Sequence, residues 1–547
     1  MAVGTGVDHI RAAARTELGY EDLRPGQAEA VRALLEGRDT LAVMPTGSGK
    51  SAIYQLAGLL LGGPTVVVSP LIALQRDQID ALEENEQVAA AELNSTLTER
   101  RRELTLEAVE QRGLDFLFLA PEQFAAEDTL PRLREAEPAL FVVDEAHCIS
   151  EWGHDFRPDY LRLGAVIDEL GRPPVLALTA TAAPTVRAEI VERLRLDDPC
   201  VIVRGFDRPN LHLAVESFYS EKEKLDGVVG RVLASEPPGI VYAATRRGSE
   251  ELAERLAHEG LRARAYHAGL PKRARADVQD AFMADELDVV VATVAFGMGI
   301  DKPNVRFVHH ADVSDSVDAY YQEIGRAGRD GEPAHAVLFY RPEDVGRRRF
   351  FGGVRTLELD EVEAVADALS RRRGPVDPRE LEQETGLPKS TLATILTQLE
   401  QAGAVSLLAS GDVLPRDEAD PAAAVDAQSE RKEYERSRIE MMRAYAELRD
   451  CRRRFLLGYF GEPREDRCCN CDCCDAGVVV EPLSQPFELG ARVRHGDWGE
   501  GTVQRYEGDK ISILFDAAGY KTLDVELVEE RRLLEQVSPR LRRRGTA

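Results

Sequence analysis

The stretch that decides the fold is Met44-Pro-Thr-Gly-Ser-Gly-Lys-Ser51, which follows an apolar strand and opens a helix. Its glycines allow backbone amides to approach phosphate oxygens closely, as in phosphate-binding loops at helix N-termini. The residues predicted to hold phosphates are Thr46, Gly47, Ser48, Gly49, Lys50 and Ser51. We expect Lys50 to reach the β- and γ-phosphates and the Ser51 hydroxyl to ligate Mg²⁺. The loop alone is compatible with any nucleoside triphosphatase.

Two adjacent carboxylates end the apolar run Phe141-Val-Val-Asp-Glu-Ala-His147. Asp144 is placed to hold Mg²⁺, and Glu145 to orient or deprotonate the attacking water, with His147 completing the motif. Two such motifs, each at the end of a strand, predict a site that hydrolyses ATP.

A third motif, Gln322-Glu-Ile-Gly-Arg-Ala-Gly-Arg329, lies much later in the chain. Its candidate site residues are Gln322, Arg326 and Arg329. From a second lobe, such arginines can cross a cleft and stabilise charge on the γ-phosphate, as an arginine finger does in cis. The alternative is a pair of ordinary surface arginines.

Hydrophobic periodicity predicts two α/β lobes in tandem, each with a parallel sheet covered on both faces. The buried-strand runs of the first lobe are Thr65–Val68, Phe116–Leu119, Leu140–Val143 and Val175–Leu178. Those of the second lobe are Gly239–Tyr242, Val289–Ala292, Val305–His309 and Ala336–Tyr340. Helical periods separate the runs.

The chain is acidic, with 69 Lys and Arg against 96 Asp and Glu and a formal net charge of -27. This excludes a uniformly basic grip on nucleic acid, so any DNA path must be a local groove. Charges interrupt the N-terminal segment and glycines break the most apolar stretch, so neither a signal peptide nor a membrane span is expected. We expect a cytoplasmic bacterial protein.

Six of the eight cysteines fall between Cys451 and Cys474, which indicates a metal site because disulfides are rare in the cytosol. Cys148 and Cys200 are expected to be apolar packing residues.

Together these motifs resemble those of superfamily 2 helicases, and among them the RecQ family of DNA helicases. The resemblance covers residues 15–345 and resumes at 430–475. Its most specific stretches are Leu23–Gln27, Val67–Gln78, Asp144–Tyr160, Leu178–Thr181, Gly205–Asn210 and Val290–Val305.

The resemblance assigns roles to particular positions. It implies that adenine is read by Tyr20, Arg24 and Gln27 and that Thr179–Thr181 links hydrolysis to lobe movement. It also implies an aromatic-rich loop for single-stranded DNA, since base stacking on aromatic rings tolerates any sequence. The DNA-binding candidates of this loop are Trp152, His154, Phe156 and Arg157. Core packing of the two aromatic residues is the alternative.

The cysteines reproduce the RecQ spacing, which implies a closed structural Zn²⁺ site of four thiolates. The implied ligands are Cys451, Cys468, Cys471 and Cys474. Cys469 and Cys473 are supernumerary, and ligand exchange with them stays open.

The regions around the cysteines depart from the common RecQ layout. Pro378–Thr385, a turn at Gly386 and Lys389–Ala402 predict a helix-turn-helix, followed by the start of a wing at Gly403. Duplex contact and a packing or protein-contact role both remain open for it. Phe487–Val528 resembles the small Tudor-like barrel of UvrD and PcrA helicases, which contacts RNA polymerase or nucleic acid in those proteins.

The sequence thus predicts five parts. They are two RecA-like lobes (1–205 and 206–350), a winged-helix-like insert (351–415), a helical zinc module (426–476) and a small β-barrel (484–547). Exposed Trp498 and Tyr506 are expected to offer the barrel's partner contact, with RNA polymerase the first candidate. The resemblance implies a monomeric 3′-to-5′ DNA helicase of repair and recombination, which moves on single strands and opens duplexes. A translocase or scaffold without robust unwinding, and an RNA helicase, are the alternatives.

Overall fold

The computed structural model describes residues 6–45, 47–70, 72–83, 88–126, 128–150, 157–297, 302–351, 359–372, 374–401, 403–408, 411–416, 434, 436–462, 464, 466–477, 484–516 and 518–537. The chain divides into two compact units, Met1–Gly205 with Arg355–Ser429 and Phe206–Val354 with Glu430–Ala547. Within the described ranges, no helix is both long and apolar enough to cross a membrane.

A seven-stranded parallel sheet forms the centre of the first unit. Its strands are β1 (Thr40–Val43), β2 (Thr65–Val68), β3 (Ala90–Leu93), β4 (Phe116–Leu119), β5 (Leu140–Val143), β6 (Val175–Thr179) and β7 (Cys200–Val203). The strand order is β3-β4-β2-β5-β6-β1-β7. Strands β2, β4, β5 and β6 are buried along their whole length, as their continuous apolar runs predict.

Helices pack around this sheet. They are α1 (Val7–Leu18), α2 (Gln27–Leu35), α3 (Ser51–Leu61), α4 (Ile72–Glu83), α5 (Glu99–Glu110), α6 (Thr129–Ala136), α7 (Leu163–Glu169) and α8 (Pro184–Arg193). Ile53 of α3, Phe116 of β4 and Leu178 of β6 are fully buried in one hydrophobic core. The helix that follows the glycine-rich loop is therefore anchored directly to the sheet.

A six-stranded parallel sheet forms the centre of the second unit. Its strands are β8 (Leu211–Ser217), β9 (Gly239–Tyr242), β10 (Ala263–Tyr266), β11 (Val289–Ala292), β12 (Phe307–His310) and β13 (Ala334–Tyr340), in the order β10-β11-β9-β12-β13-β8. The four runs predicted from sequence are confirmed within two residues. The helices are α9 (Glu221–Leu233), α10 (Arg246–His258), α11 (Lys272–Met283), α12 (Val317–Ile324) and α13 (Pro342–Phe351).

The helix-turn-helix segment belongs to the first unit and has a small core of its own. Its elements are α14 (Leu359–Ser370), α15 (Pro378–Thr385), α16 (Lys389–Gln401), β14 (Val405–Leu407) and β15 (Val413–Pro415). The side chain of Asp377 caps α15, and Gly386 ends it with φ of 69°. Glu400 of α16 forms an ion pair of 2.9 Å with Arg193, so this segment packs on the first unit.

Residues 434–477, here called the cysteine module, lie against edge strand β8 of the second unit. Their helices are α17 (residues 436–446), α18 (Arg452–Tyr459) and α19 (Asp472–Asp475). Asp472 Oδ2 accepts a hydrogen bond from the Val215 backbone N at 2.9 Å, and His212 Nε2 lies 2.8 Å from Asp475 Oδ2. The module therefore covers an edge that would otherwise expose unpaired backbone groups.

Residues 484–537, here called the terminal sheet, form five antiparallel strands. The elements are β16 (Arg492–His495), β17 (Gly499–Glu507), β18 (Lys510–Phe515), β19 (Gly519–Asp524), α20 (Val525–Arg531) and β20 (Leu534–Gln536), with strand order β19-β18-β17-β16-β20. The alternating residues predicted to form its core, which are Val493, Val503, Ile511, Ile513 and Phe515, are buried.

The expectation that Trp498 and Tyr506 are exposed is wrong. Both are partly buried and pack against the core of the terminal sheet. The Trp498 ring stacks on His495 with centroids 4.1 Å apart, and the Tyr506 hydroxyl donates to the Phe487 backbone O at 2.9 Å. A sheet this small uses its own aromatic rings to fill part of its interior.

Candidate active site and cysteine centre

The glycine-rich loop connects β1 to the first residue of α3. Gly47 and Gly49 have φ of 78° and 74°, a region that glycine adopts without steric cost. Lys50 Nζ donates to the backbone oxygens of Met44 at 3.1 Å and Pro45 at 3.4 Å. The loop's own carbonyls thus hold the Lys50 ammonium group at the loop.

The predicted adenine-reading residues brace this loop. Gln27 is buried; its Nε2 donates to the backbone oxygens of Ser48 at 3.2 Å and Gly49 at 2.8 Å. Its Oε1 accepts from the Arg24 backbone N at 2.7 Å, and the Arg24 guanidinium donates to the Gly47 carbonyl. A Cβ on Gly49 would lie 2.8 Å from Gln27 Nε2, so the Gln27 amide would have to shift to admit it.

The remaining predicted nucleotide residues lie at the borders of the loop. Tyr20 exposes 38% of its surface, and its hydroxyl donates to Gln55 Oε1 at 3.4 Å. An aromatic face is therefore available to a base. Ser51 begins α3, and Thr46 lies outside the described residues.

Asp144 and Glu145 stand where β5 ends. Glu145 has φ of 48°, and its backbone N donates to Asp144 Oδ1 at 2.9 Å. The Tyr160 hydroxyl donates to the Asp144 backbone O at 3.0 Å. Burial and the charge of Glu145 raise the pKa of the Asp144 carboxyl to about 7, while Lys50 acts in the opposite direction. This buried carboxyl fits a divalent cation, whose charge would favour the ionised form.

His147 joins the carboxylates to the Thr-Ala-Thr segment. Its Nδ1 lies 3.2 Å from Glu145 Oε2 and 2.9 Å from Thr179 Oγ1. The Thr179 hydroxyl in turn contacts the Thr181 backbone O at 2.9 Å. A buried polar path therefore leads from the candidate catalytic carboxylate to the end of β6.

The aromatic-rich loop falls mainly on residues 151–156. The predicted DNA-binding residues Trp152, His154 and Phe156 lie in that range, outside the described part of the chain. Arg157 is described; its guanidinium donates to the Pro70 backbone O at 3.1 Å, beyond the end of β2.

The third motif occupies α12 and the turn after it. Gln322 is half-buried, Arg326 is buried at 5% exposure and Arg329 is half-buried. A Cβ on Gly297 would lie 3.2 Å from Arg326 Nη2, so that guanidinium is closely enclosed within the second unit. Burial raises the pKa of the nearby Tyr242 hydroxyl to about 12, although the positive charge of Arg326 acts to lower it.

Two residues with no role assigned from sequence hold the turn after α12. The Arg208 guanidinium donates to the backbone oxygens of Gly325 at 3.2 Å and of Ala327 and Gly328 at 2.9 Å. Asn210 Nδ2 donates to the same Gly328 oxygen at 2.8 Å. Both belong to Gly205–Asn210, one of the stretches most specific to the RecQ resemblance. That membership is the only feature of the sequence that indicates a role for them.

The cysteine module fixes α12 along its length. The Tyr459 hydroxyl donates to buried Asp318 Oδ2 at 2.5 Å, and the hydroxyls of Tyr320 and Tyr445 lie 3.3 Å apart. Three further rings also pack together: Phe206 stacks on Phe460, and Tyr321 lies tilted against both. In sequence these aromatic residues read as ordinary helical core positions, so their connection to the arginine motif was not predicted.

The four predicted zinc ligands converge in the cysteine module. The sulfur atoms of Cys451, Cys468, Cys471 and Cys474 all lie within 4.8 Å of one another, and those of Cys468 and Cys474 are 3.9 Å apart. Tetrahedral zinc with bonds of about 2.3 Å requires sulfurs about 3.8 Å apart, so the cluster fits that ion. Hydrogen bonds from the Cys468 and Cys471 thiols lower the pKa of the Cys451 thiol.

The supernumerary cysteines, Cys469 and Cys473, have different surroundings from the four clustered cysteines. Cys469 is exposed with φ of 51°, while Cys473 is buried with its sulfur 3.6 Å from the Leu448 backbone O. Burial raises the pKa of the Cys473 thiol to about 11, which disfavours a thiolate ligand. Cys148 is buried beside His147, and Cys200 is half-buried on edge strand β7.

Models of known protein families match most of the chain. The DEAD/DEAH box helicase model matches residues 24–189, and the helicase conserved C-terminal domain matches residues 223–331. The RecQ zinc-binding model matches residues 413–475. A family described only as a protein of unknown function, DUF3553, matches residues 487–531 of the terminal sheet.

Curated relatives agree with these matches. The probable ATP-dependent DNA helicase RecS of Bacillus subtilis is 36% identical over 459 residues, covering 83% of this chain and 89% of RecS. The ATP-dependent DNA helicase RecQ of Haemophilus influenzae is 35% identical over 460 residues, covering 84% of this chain but only 62% of that protein.

Among solved structures, the DUF1998 helicase MrfA bound to DNA has a TM-score of 0.52 at 16% identity, covering 76% of this chain and 63% of MrfA. This likeness shows a shared fold. The 36% identity to RecS over 89% of its length, together with the RecQ zinc-binding match, shows the family as well as the fold. The chain belongs to the RecQ family of ATP-dependent DNA helicases.

Proposed function

We propose that this chain hydrolyses ATP to move 3′ to 5′ along single-stranded DNA and to unwind duplex DNA in repair and recombination. The observation that carries the proposal is the buried path from Asp144 and Glu145 through His147 to Thr179. A carboxylate pair at the nucleotide site, joined to the end of the neighbouring strand β6, suits an enzyme that converts hydrolysis into movement.

Each ATP-site residue has a proposed part. Lys50 binds the β- and γ-phosphates, and Ser51 and Asp144 would hold Mg²⁺, which neutralises phosphate charge when bound. Glu145 orients the attacking water and accepts its proton, with His147 positioning the carboxylate at 3.2 Å. Tyr20, Arg24 and Gln27 read adenine, and loop residues Thr46 to Gly49 hold phosphate oxygens.

The second unit contributes positive charge. Gln322, Arg326 and Arg329 contact the γ-phosphate side of the nucleotide and stabilise charge that develops there during hydrolysis. Arg208 acts indirectly, because its three hydrogen bonds fix the turn from which the arginines project.

Two binding roles complete the proposal. Trp152, His154, Phe156 and Arg157 stack on and contact single-stranded DNA. The four clustered cysteines hold one structural Zn²⁺, because four thiolates leave no open coordination position for catalysis.

The test is DNA-stimulated ATP hydrolysis by the full chain and by Glu145→Gln. The variant should bind ATP with near wild-type affinity and hydrolyse it at least about 100-fold more slowly, because the water loses its base. Wild-type protein whose hydrolysis responds to RNA but not to DNA would instead favour an RNA helicase.

A further inference from the structure

A charged groove lies between the cysteine module and the terminal sheet, within the second unit, and none of the candidate nucleotide-site residues or clustered cysteines line it. It has a volume of about 900 Å³ and runs between α17 on one side and β17, β18 and β19 on the other. Six cationic side chains line it: Arg436, Arg443, Arg449, Arg505, Lys510 and Lys521. Both walls contribute cations, three from the module and three from the sheet.

The charge of this groove is opposite to that of the whole protein. The chain has a formal net charge of -27, yet the groove has six cations against three acidic residues, Glu440, Glu447 and Asp509. Glu447 accepts from Arg443 Nε at 3.0 Å and from the Tyr340 hydroxyl at 2.7 Å, so this ion pair leaves five other cations against two acidic residues. A local excess of positive charge on an acidic protein marks a place where a polyanion binds.

Aromatic and cation–π contacts attach the terminal sheet to α18 of the cysteine module. The Tyr520 ring of the sheet stacks on Tyr459 of α18 with centroids 5.4 Å apart. The Arg505 guanidinium lies 4.2 Å from the centroid of the Phe455 ring. The groove is therefore formed before any ligand arrives, and its arginine is already positioned, which lowers the entropic cost of binding.

Close backbone packing adds to this attachment. Gly519 of β19 has φ of 67°, and a Cβ there would lie 2.5 Å from Ser437 Oγ and 3.3 Å from the Tyr434 Cα. The sheet thus approaches α17 at a distance that only glycine allows.

The lining suits a nucleic-acid backbone better than a protein surface. Its large apolar side chains, Met441 and Tyr520, are 3% and 5% exposed and so offer no anchor to a partner. A protein interface depends on aromatic or aliphatic side chains that become buried against the partner, whereas phosphate contacts need only correctly placed cations.

We propose that this groove binds the phosphodiester backbone of a DNA single strand, as a second DNA contact beyond the motor. Cations on both walls match a strand lying between them, and their contacts would not depend on sequence. The proposal deepens the proposed helicase function and rests on it.

The experiment measures the binding of fluorescent oligonucleotides to the full chain without nucleotide, at several salt concentrations. The test variant is Arg436→Gln with Lys510→Gln, which removes one exposed cation from each wall. The matched control is Lys222→Gln with Arg531→Gln, two exposed cations of the same unit that do not line the groove.

The groove variant should bind single strands several-fold more weakly at low salt. Its plot of log affinity against log salt should be shallower by about 1.4, since each lost contact to a single strand removes about 0.7. The control should match the wild type. Equal affinities and equal salt slopes for the groove variant and the control would overturn the proposal. So would weaker binding of the groove variant to blunt duplex alone, with its binding to single strands unchanged. Wild-type protein that binds neither single strands nor blunt duplex would contradict the proposed function itself.

Discussion

The proposed nucleotide-binding residues of the first unit and the arginine motif of the second are positioned in different ways. Gln27, Lys50 and Asp144 are held by contacts among neighbouring strand ends and loops of one sheet. Helix α12 is instead held by Tyr445 and Tyr459, from a module more than a hundred positions later in the chain.

This difference predicts that mutations in the two regions affect activity in different ways. Damage to the first unit's site should remove chemistry directly. Damage to the cysteine module should act at a distance, because the same helix that contacts the module also carries Gln322 and leads to Arg326. The module is then a positioning element for the motor as well as a metal site.

The largest expected effect is that of Lys50→Ala. The loop loses its cation for the β- and γ-phosphates, so ATP hydrolysis should fall at least about 100-fold with or without DNA. Steady-state phosphate release measures this, with Lys222→Ala, at an exposed position of α9, as the control. A Lys50 variant that hydrolyses ATP at the wild-type rate would refute the site assignment.

Cys451→Ser should have the next largest effect. Metal binding by thiolates is coupled to folding of their module, so the variant should lose its zinc and much of its solubility. Cys469→Ser is the matched control, because Cys469 is exposed and outside the four-sulfur cluster. Metal analysis should find one zinc per chain in the control and in the wild type. Full zinc in Cys451→Ser would contradict the ligand set.

Tyr459→Phe tests the link between the module and α12. Removing the hydroxyl leaves buried Asp318 without this donor, which should destabilise the second unit by about 1–3 kcal/mol. We expect kcat for DNA-stimulated hydrolysis to fall several-fold with little change in KM for ATP. Thermal unfolding and steady-state kinetics measure both effects. Tyr219→Phe, at a 94% exposed position, should change neither. An unchanged kcat in a destabilised Tyr459→Phe would show that the module only supports folding.

Gly519→Ala should have the smallest effect and tests attachment of the terminal sheet. The new Cβ would collide with Ser437, so hydrogen exchange in β19 and α18 should accelerate. Gly490→Ala is the control, since Gly490 also has positive φ, 81° against 67°, but open space around it. Equal exchange in both variants would mean that the sheet is not held by this contact.

Much of the fold could be predicted because its strands are continuous apolar runs such as Phe116–Leu119, and its site residues lie in long motifs. The four predicted zinc ligands came from the resemblance to the RecQ family, and their sulfur atoms cluster in the structure. What could not be predicted depends on tertiary contact. Tyr459 and Tyr520 each fit the periodicity of their own element, and nothing local indicates that they stack on each other. The predicted exposure of Trp498 failed for the same reason.

The measurement that tests the central claim most directly is strand displacement from tailed duplexes, with labelled DNA, ATP and the full chain. The duplexes should share one sequence and differ only in having a 3′ tail, a 5′ tail or blunt ends. The account predicts ATP-dependent unwinding of the 3′-tailed duplex, little unwinding of the other two and none by Glu145→Gln. Robust DNA-stimulated hydrolysis by the wild type without displacement of any strand would contradict it and identify a translocase.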